Sequence, residues 1–113
     1  MIFGRELLPR VLDGSKTVTR RRVKPGHREC FYKAGRTYAV QPARGARAIG
    51  RIEVVSVETG VLVEALEEYG REGFDSPHAF VAYWTSLRSS FDPRELVHRV
   101  EFQLMSHEIE GQA

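Results

Sequence analysis

The sequence predicts one small α+β domain, in which short strands form a strongly curved, barrel-like sheet with helices on its outside. Three observations favour this class. The length of 113 residues suits a single domain, the 42% of hydrophobic residues is close to the globular average, and predicted strands and helices are partly segregated along the chain. We expect one domain over residues 1–105 and a polar C-terminal tail over residues 106–113.

A short helix and a strand open the chain. Residues 6–13 place apolar side chains at helical spacing, with Pro9 in the first turn and Gly14 as a left-handed cap. Residues 17–22 begin with β-branched side chains and predict a strand. Residues 23–35 contain two glycines and a proline without a clean period, so they predict a long loop that suggests function or mobility.

Two further strands follow this loop. Residues 37–41 predict a short strand, and residues 42–47 form a turn rich in Gly and Arg. Residues 49–58 are the strongest predicted strand of the chain. Because Val54 and Val55 are adjacent, the apolar face switches there, which indicates a bulge or burial on both faces.

The second half is predicted to contain two helices and a closing strand. Residues 62–71 carry an apolar stripe at helical spacing, and Gly73 ends this helix. Ser76 is a predicted N-cap for a second helix over residues 77–87, which begins with proline. Residues 97–104 alternate apolar and polar side chains, so we expect a strand that pairs centrally in the sheet.

The charge is distributed unevenly along the chain. Residues 1–56 hold 13 basic and 4 acidic residues, a net charge of +9, whereas residues 57–113 hold 4 basic and 11 acidic residues, a net charge of −7. This asymmetry indicates either an electropositive face for phosphate or nucleic acid, or two halves whose charges pair across the fold. The first alternative predicts one positive surface beside a cleft, formed by Arg20, Arg21, Arg22, Arg44, Arg47 and Arg51.

Several classes of protein are excluded by composition. A single cysteine rules out an internal disulfide and a multi-cysteine zinc site, and His27 with Cys30 supplies too few ligands for a metal. No apolar run approaches the length of a membrane span, and the N-terminus lacks a signal-peptide pattern. We therefore expect a cytoplasmic protein with no membrane association, no metal and no cofactor, and a monomer as the default state.

The densest group of chemically active residues is the segment 14–22, with the sequence GSKTVTRRR. It is not a P-loop, because no upstream glycine has the required spacing and the predicted order is helix then strand. With residues 14–21 of this segment and several other segments in the same order and spacing, the chain resembles the ASCH domain family of the PUA-like superfamily. The other matching segments are Phe3, 7–12, 50–54, 72–76, the helix through Phe80, Tyr83 and Trp84, and 97–102.

This resemblance implies a PUA-like β-barrel of about five to six short strands flanked by helices, with a cleft beside the lysine-containing segment. The family has RNA-related roles and includes a ribonuclease and an amidohydrolase that deacylates acetylated cytidine. The site residues of the amidohydrolase correspond to Lys16, Thr19 and Glu72. The run from Arg20 to Arg22 and the residue His98 depart from the family pattern and leave the substrate open.

The three residues are chemically consistent with hydrolysis. A threonine hydroxyl needs a base to take its proton, and Lys16 can be that base if burial lowers its pKa. Glu72 could protonate the leaving amine or hold a cationic Lys16 in place. Because residues 16 and 19 would face opposite sides of a regular strand, Lys16 must lie in the turn before it.

Each of these residues also has a structural alternative. Lys16 could be a phosphate contact, Thr19 an ordinary strand residue and Glu72 a surface carboxylate. Phe31 and Tyr32 lie among basic residues and form either a base-stacking loop or a core anchor.

Three functions therefore stay open. They are binding of RNA or a modified nucleoside in a basic cleft, hydrolysis of an acylated cytidine, and a non-catalytic interaction module. The predicted binding residues are Lys16, Thr17, Arg20, Arg21, Arg22, Tyr32, Arg44, Arg47 and Arg51.

Overall fold

The computed structural model describes residues 1–107, which contain four strands, two α-helices and one 3₁₀ helix, so the predicted α+β class is confirmed. In chain order these are α1 (Leu8–Leu12), β1 (Val18–Arg22), β2 (Thr37–Val40), β3 (Gly50–Val61), the 3₁₀ helix (Leu62–Glu68), α2 (Pro77–Arg88) and β4 (Leu96–His107). Of the predicted tail, residues 106 and 107 belong to β4, and residues 108–113 lie outside the described residues.

The four strands form one antiparallel sheet in the order β1-β4-β3-β2. The last strand is therefore central, as predicted, and pairs with β1 on one side and β3 on the other. The predicted barrel of five to six strands is wrong, because there are four strands and the sheet is not closed within residues 1–107.

Irregular segments cover both outer edges of the sheet, where a closed barrel would need further strands. Along β1, the backbone amides of Thr17 and Val18 donate to the carbonyl oxygen of Arg71 at 2.9 and 3.1 Å. Directly after β2, the amide of Gln41 donates to the oxygen of Met1 at 3.0 Å. These contacts satisfy edge groups that would otherwise be free to pair with another strand.

Two backbone irregularities predicted from the sequence are confirmed. The pairing of β3 with β4 shifts register between Val54 and Ser56, and Val54 is fully buried while Val55 is 48% exposed. Helix α1 carries Pro9 in its first turn and is followed by Gly14 at φ +84°, a conformation that glycine adopts without steric cost.

The helix predicted over residues 62–71 is instead a 3₁₀ helix that ends at Glu68. Leu62 and Ala65 are both fully buried, and they are three residues apart. A 3₁₀ helix has three residues per turn and places both on one face, whereas the α-helical stripe assumed a spacing of four. The second predicted helix is confirmed as α2, with the Ser76 hydroxyl accepting from the Ala79 amide at 3.0 Å.

The hydrophobic core lies in two clusters on opposite faces of the sheet. Side chains alternate along β4, so Val100 and Phe102 contribute to one cluster and Val97 contributes to the other. Phe80 and Trp84 of α2 cover the cluster around Val97. No helix within residues 1–107 has the length and apolar character needed to cross a bilayer.

Candidate functional site

Lys16 lies between α1 and β1, where the sequence geometry required it, and its side chain is 1% exposed. Its Nζ donates to the backbone oxygens of Val18 and Glu72, each at 2.6 Å, and lies 3.5 Å from Oε1 of Glu72. These three partners match the three protons of an ammonium group. The structure therefore brings Lys16 and Glu72 together at the edge of β1.

The electrostatic environment of Lys16 disfavours its charge. Burial lowers the pKa of Lys16 from 10.5 to about 8; the charge of Glu72 opposes this shift, and the charge of Arg21 adds to it. Since this pKa is about one unit above pH 7, roughly one Lys16 in ten is neutral at that pH. Lys16 is thus mainly an ammonium at neutral pH, with a minor neutral form.

A cluster of buried and half-buried charges extends from Glu72 across the sheet. Nη1 of Arg20 donates to Oε2 of Glu72 at 2.7 Å and to Oε1 of Glu68 at 2.6 Å. Nε and Nη2 of Arg99 donate to the two carboxylate oxygens of Glu68 at 2.6 and 3.1 Å, and Nη1 of Arg99 donates to Glu101 at 3.3 Å. We call Lys16, Arg20, Glu68, Glu72, Arg71, Arg99 and Glu101 the charge network. Arg71 belongs to it through a 2.9 Å ion pair with Glu101, so its four cations outnumber its three carboxylates.

The network perturbs the titration of its members in the directions expected for ion pairs. Although burial opposes the effect, hydrogen bonds from Arg99 and Arg20 hold the pKa of Glu68 below its ordinary value. The hydrogen bonds that Arg99 donates to Glu68 raise the pKa of Arg99. Both groups are therefore held in their charged forms near neutral pH.

Thr19 occupies a different position from the other two predicted catalytic residues. It lies on β1 opposite Val100 and is 6% exposed. Because neighbouring side chains on a strand alternate, Thr19 and Arg20 face opposite sides of the sheet. Within residues 1–107 the hydrogen bonds of Lys16 go to Val18 and Glu72, and none joins it to the Thr19 hydroxyl.

Thr17, Arg21 and Arg22 of the same segment also have hydrogen-bond or ion-pair partners. The Thr17 hydroxyl accepts from Nε of Arg71 at 3.1 Å. Arg21 donates to the backbone oxygen of Ile2 at 2.9 Å, and its guanidinium lies 5.4 Å from the ring centre of Phe3. Nε of Arg22 lies 2.7 Å from a carboxylate oxygen of Glu95.

Charge pairing between the two halves of the chain is thus present at Arg20 and Arg22. Their carboxylate partners, Glu68, Glu72 and Glu95, all belong to the acidic second half. This is the second of the two alternatives that the charge asymmetry left open. Arg20 and Arg22 are therefore paired with carboxylates, whereas Arg21 contacts a backbone oxygen and the ring of Phe3.

Arg51, another of the predicted arginines, lies far from Arg20 along the sheet. Along β4, Arg20 pairs opposite Arg99, whereas Arg51 of β3 pairs opposite Ser106. Seven residues of strand separate these positions, about 23 Å at about 3.3 Å per residue. Arg44 and Arg47 lie in the segment between β2 and β3. Arg20 and Arg51 are therefore not neighbours on the sheet.

The loop between β1 and β2 contains an exposed aromatic ring. Phe31 is 76% exposed, and its ring contacts those of Tyr32 and Tyr38 at centroid distances of 5.1 and 6.1 Å. Tyr32 packs against the cluster around Val100, and burial raises its pKa. Tyr32 therefore anchors the loop, while Phe31 presents a ring to solvent.

Sequence reasoning missed Glu68 and Arg99, which hold Arg20 in place. Neither belongs to a recognisable motif, and only the pairing of β1 with β4 and the end of the 3₁₀ helix bring them to Arg20. It also missed the 2.9 Å contact between Nδ1 of His98 and the Thr59 hydroxyl, which links β4 to β3. Among residues 1–107, no three His, Cys, Asp or Glu side chains converge as metal ligands.

Comparisons with known proteins identify the fold. No protein-family model matches the sequence, and no curated protein shows significant similarity to it. The structure is similar to a DUF984 protein of Enterococcus faecalis V583, with a TM-score of 0.64 and 18% identity over 93% of this chain and 73% of that chain. An ASCH domain from Lactobacillus crispatus JV V101 gives a TM-score of 0.64 and 18% identity over 88% of this chain and 70% of that chain.

A third structure extends the same result. ASCH from Zymomonas mobilis gives a TM-score of 0.60 and 22% identity over 96% of this chain and 66% of that chain. The chain therefore has the fold of ASCH domain proteins, as its sequence motifs predicted, and spans about two thirds to three quarters of the length of these proteins.

Proposed function

We propose that this chain is an ASCH-type module that binds single-stranded RNA through the loop of residues 23–36. The observation that carries this proposal is the 76% exposure of Phe31, a large apolar ring held on a firmly packed neighbour, Tyr32. Stacking on exposed aromatic rings is the usual way in which proteins bind unpaired bases.

The charge of the loop supports the same partner. Residues 23–36 contain four basic residues and one acid, a net charge of +3. Lys33 pairs with Glu29 at 3.3 Å, and within residues 1–107 no carboxylate pairs with Lys24, Arg28 or Arg36. Three cations in the same loop as an exposed ring suit the alternation of phosphates and bases along a single strand.

The arginines of β1 support this choice of surface over the segment around Lys16. Arg20 is buried in the charge network and Arg22 is paired with Glu95. A phosphate that approached Arg20 would have to compete with two carboxylates, whereas the loop cations would meet a phosphate without such competition.

The test is titration of a fluorescent 12-nucleotide single-stranded RNA, measured by anisotropy at several salt concentrations. Each phosphate neutralised on a single strand contributes about −0.7 to the slope of log affinity against log salt, so three loop cations predict a slope of about −2. Phe31→Ala is expected to weaken binding about tenfold, because stacking of one base contributes about 1–3 kcal/mol. Phe31→Trp should retain binding.

Leu87→Ala is the matched control, because Leu87 is 56% exposed and lies on α2. It should bind like the wild type. Equal affinity of Phe31→Ala and wild type, or binding that does not depend on salt, would contradict the proposal. A duplex of the same sequence that competes as well as the single strand would also contradict it.

A second candidate is hydrolysis of an acylated cytidine, favoured by one observation. Lys16 is 1% exposed, its pKa is lowered to about 8, and it contacts Glu72, so a small neutral fraction is available as a base at neutral pH. In this mechanism the Thr19 hydroxyl must approach Lys16 when substrate binds, since catalytic hydrogen bonds often tighten only in the complex.

This candidate is tested by assaying acetylated cytidine with the wild type, Lys16→Ala, Thr19→Val and Glu72→Gln, each checked for folding by circular dichroism. Turnover that rises with pH up to about 8 and is lost in all three variants is expected. Thr19→Val keeps the volume of the side chain and removes its hydroxyl, so full activity in this variant would refute the assignment. Absence of turnover in a folded wild type would do the same.

A further inference from the structure

One carboxylate of the charge network lies between two buried cations. Oε2 of Glu72 accepts from Nη1 of Arg20 at 2.7 Å, whereas Oε1 of Glu72 lies 3.5 Å from Nζ of Lys16. All three side chains are at most 4% exposed, so water screens these interactions little. Arg20 and Lys16 therefore compete for Glu72, and the carboxylate lies closer to Arg20.

The two competing cations differ in their chemistry. A guanidinium group stays charged in proteins, whereas a buried ammonium group can release its proton. Lys16 instead donates to the backbone oxygens of Val18 and Glu72, each at 2.6 Å. Its short contacts are thus with uncharged carbonyl groups, and its contact with the carboxylate is the longest of the three.

Arg20 is held in place on its other side. Its Nη1 also donates to Oε1 of Glu68 at 2.6 Å, and Arg99 binds both carboxylate oxygens of Glu68. Arg20 lies directly opposite Arg99 in the pairing of β1 with β4, so the sheet fixes the distance between their backbones. The guanidinium of Arg20 therefore has a set position, and the carboxylate of Glu72 is drawn towards it.

Charged groups face Lys16 from α1, from β1 and from the segment after the 3₁₀ helix. The side chains of Lys16 and Arg10 both border Gly73, and the guanidinium of Arg10 is paired with a carboxylate at 3.1 Å. Within residues 1–107, Glu72 is the one carboxylate that makes an ion-pair contact with Lys16, so its position decides how far the charge of Lys16 is stabilised. The cations that face Lys16 are Arg10, Arg20 and Arg21.

From this geometry we infer that Arg20 is a positioning residue, which holds the carboxylate of Glu72 away from the ammonium of Lys16. The carboxylate at this distance leaves part of Lys16 neutral near pH 7, which is the form that can take a proton from a hydroxyl. The consequence for catalysis rests on the second candidate function, hydrolysis of an acylated cytidine, whereas the effect on Lys16 does not.

Replacing Arg20 by glutamine removes the competing cation. The carboxylate of Glu72 can then approach Lys16 from 3.5 Å to an ordinary ion-pair distance of about 2.8 Å. At an effective dielectric constant of about 20, this approach favours the ammonium form by a factor approaching ten, and loss of the repulsion between Arg20 and Lys16 acts in the same direction. We therefore expect the neutral fraction of Lys16 at pH 7 to fall about tenfold.

The experiment is an NMR titration of the lysine Cε–Hε signals between about pH 6 and about pH 10. The chain has three lysines, and Lys24 and Lys33 are exposed, so they serve as internal references. The Lys16 signal is assigned by its loss in Lys16→Arg. In Arg20→Gln the titration midpoint of Lys16 should rise by about one pH unit, with Lys24 and Lys33 unchanged. An unchanged or lower midpoint for Lys16 would overturn the inference.

Arg22→Gln is the matched control, because it removes the same charge from the same face of β1. Arg22 is 52% exposed, and its ion-pair partner is Glu95. The midpoint of Lys16 should move much less in this variant than in Arg20→Gln. Equal rises in the two variants would show a general effect of charge and refute the positioning role.

Two double variants complete the test. Arg20→Gln with Glu68→Gln removes one charge of each sign and leaves Glu72 to Lys16, so it should show the same rise even where Arg20→Gln alone does not fold. When Glu72 is already glutamine, adding Arg20→Gln should move the midpoint of Lys16 much less, because Arg20 acts through Glu72. Equal effects of Arg20→Gln with and without the Glu72 carboxylate would contradict the inference.

Turnover of acetylated cytidine separates this inference from the proposed hydrolysis. In a hydrolase, kcat of Arg20→Gln at pH 7 should fall about tenfold and recover above about pH 9, with little change in KM. A shifted Lys16 titration without turnover by the wild type would reject the hydrolysis and support the positioning role. Turnover with the same pH profile in Arg20→Gln and the wild type would reject the positioning role.

Discussion

Replacing Glu72 by glutamine perturbs the charge network at its most buried carboxylate. The side chain of Glu72 is 3% exposed, with one oxygen 2.7 Å from Arg20 and the other 3.5 Å from Lys16. The substitution keeps the shape of the side chain and removes its charge. Lys16 and Arg20 then share an environment in which Glu68 is the nearest remaining carboxylate partner of Arg20.

Lys16 and Arg20 respond differently to the loss of the Glu72 charge, and their two responses set the size of the destabilisation. Lys16 can release its proton, and since its pKa of about 8 lies about one unit above pH 7, the loss at Lys16 is limited to about 1.4 kcal/mol. Arg20 stays charged and loses one of its two carboxylate acceptors, a hydrogen bond to a charged group that contributes about 2 kcal/mol. We expect Glu72→Gln to lower the free energy of unfolding by about 3 kcal/mol at pH 7.

The part of the destabilisation that arises at Lys16 becomes smaller as the pH rises. Its folded-state pKa is lowered from 10.5 to about 8, so the unfolded chain binds one more proton between these values and the stability of the wild type rises with pH there. At pH 9 Lys16 is already neutral in the wild type, and loss of Glu72 no longer costs anything at this residue. The destabilisation should therefore fall to about 2 kcal/mol at pH 9, the share of Arg20.

Urea unfolding at pH 7 and pH 9, followed by the fluorescence of the single tryptophan, measures both values. Glu67→Gln, an exposed carboxylate on the 3₁₀ helix, should change stability by less than about 0.5 kcal/mol at either pH. A destabilisation by Glu72→Gln that is the same at pH 7 and pH 9 would refute the assignment of Lys16 as a titrating member of the network. A loss below about 1 kcal/mol at pH 7 would refute the network as a source of stability.

Three further outcomes follow from the structure. The pKa of Glu68 is held below its ordinary value of 4.5. The charged carboxylate therefore stabilises the fold above pH 4.5, and this stabilisation is lost as the pH falls through the lower, folded-state pKa. In acid unfolding, the stability of Glu68→Gln should depend less on pH below 4.5 than the stability of the wild type. Trp84 has a buried Nε1 without an acceptor, so Trp84→Phe should cost less than the roughly 3–5 kcal/mol expected of Phe80→Ala, as measured by urea unfolding followed by circular dichroism. Ser89 ends α2 at φ +70°, and Ser89→Gly should raise the melting temperature, with a gain of up to about 1 kcal/mol.

Local features of the fold were predictable because short stretches of sequence specify them. Pro9 in the first turn of α1, Gly14 in a left-handed conformation, the bulge at Val55 and the Ser76 cap all depend on backbone preferences of a few neighbouring residues. The 3₁₀ helix was predicted as an α-helix because the sequence allows its buried residues to be three or four positions apart. The packing of neighbouring elements decides between these two spacings. The closed barrel was wrong for a related reason, since the segments that cover the sheet edges have no strand pattern of their own.

For the candidate site, the sequence by itself determined which side chains carry chemistry and where along the chain they are concentrated: the lysine and arginines of residues 16–22, the acidic second half and the aromatic loop. The tertiary structure alone decided which charges remain available. Strand pairing places Arg20 beside Arg99, and the chain after the 3₁₀ helix returns Glu72 to Lys16 across 56 residues of sequence. Electrostatic interactions depend on distance and burial, and neither can be read from residue spacing once the partners come from different strands. Two arginines of a segment that is strongly basic in sequence are therefore paired with carboxylates in the fold. Phe31, one of several aromatic residues in sequence, is distinguished by its exposure to solvent.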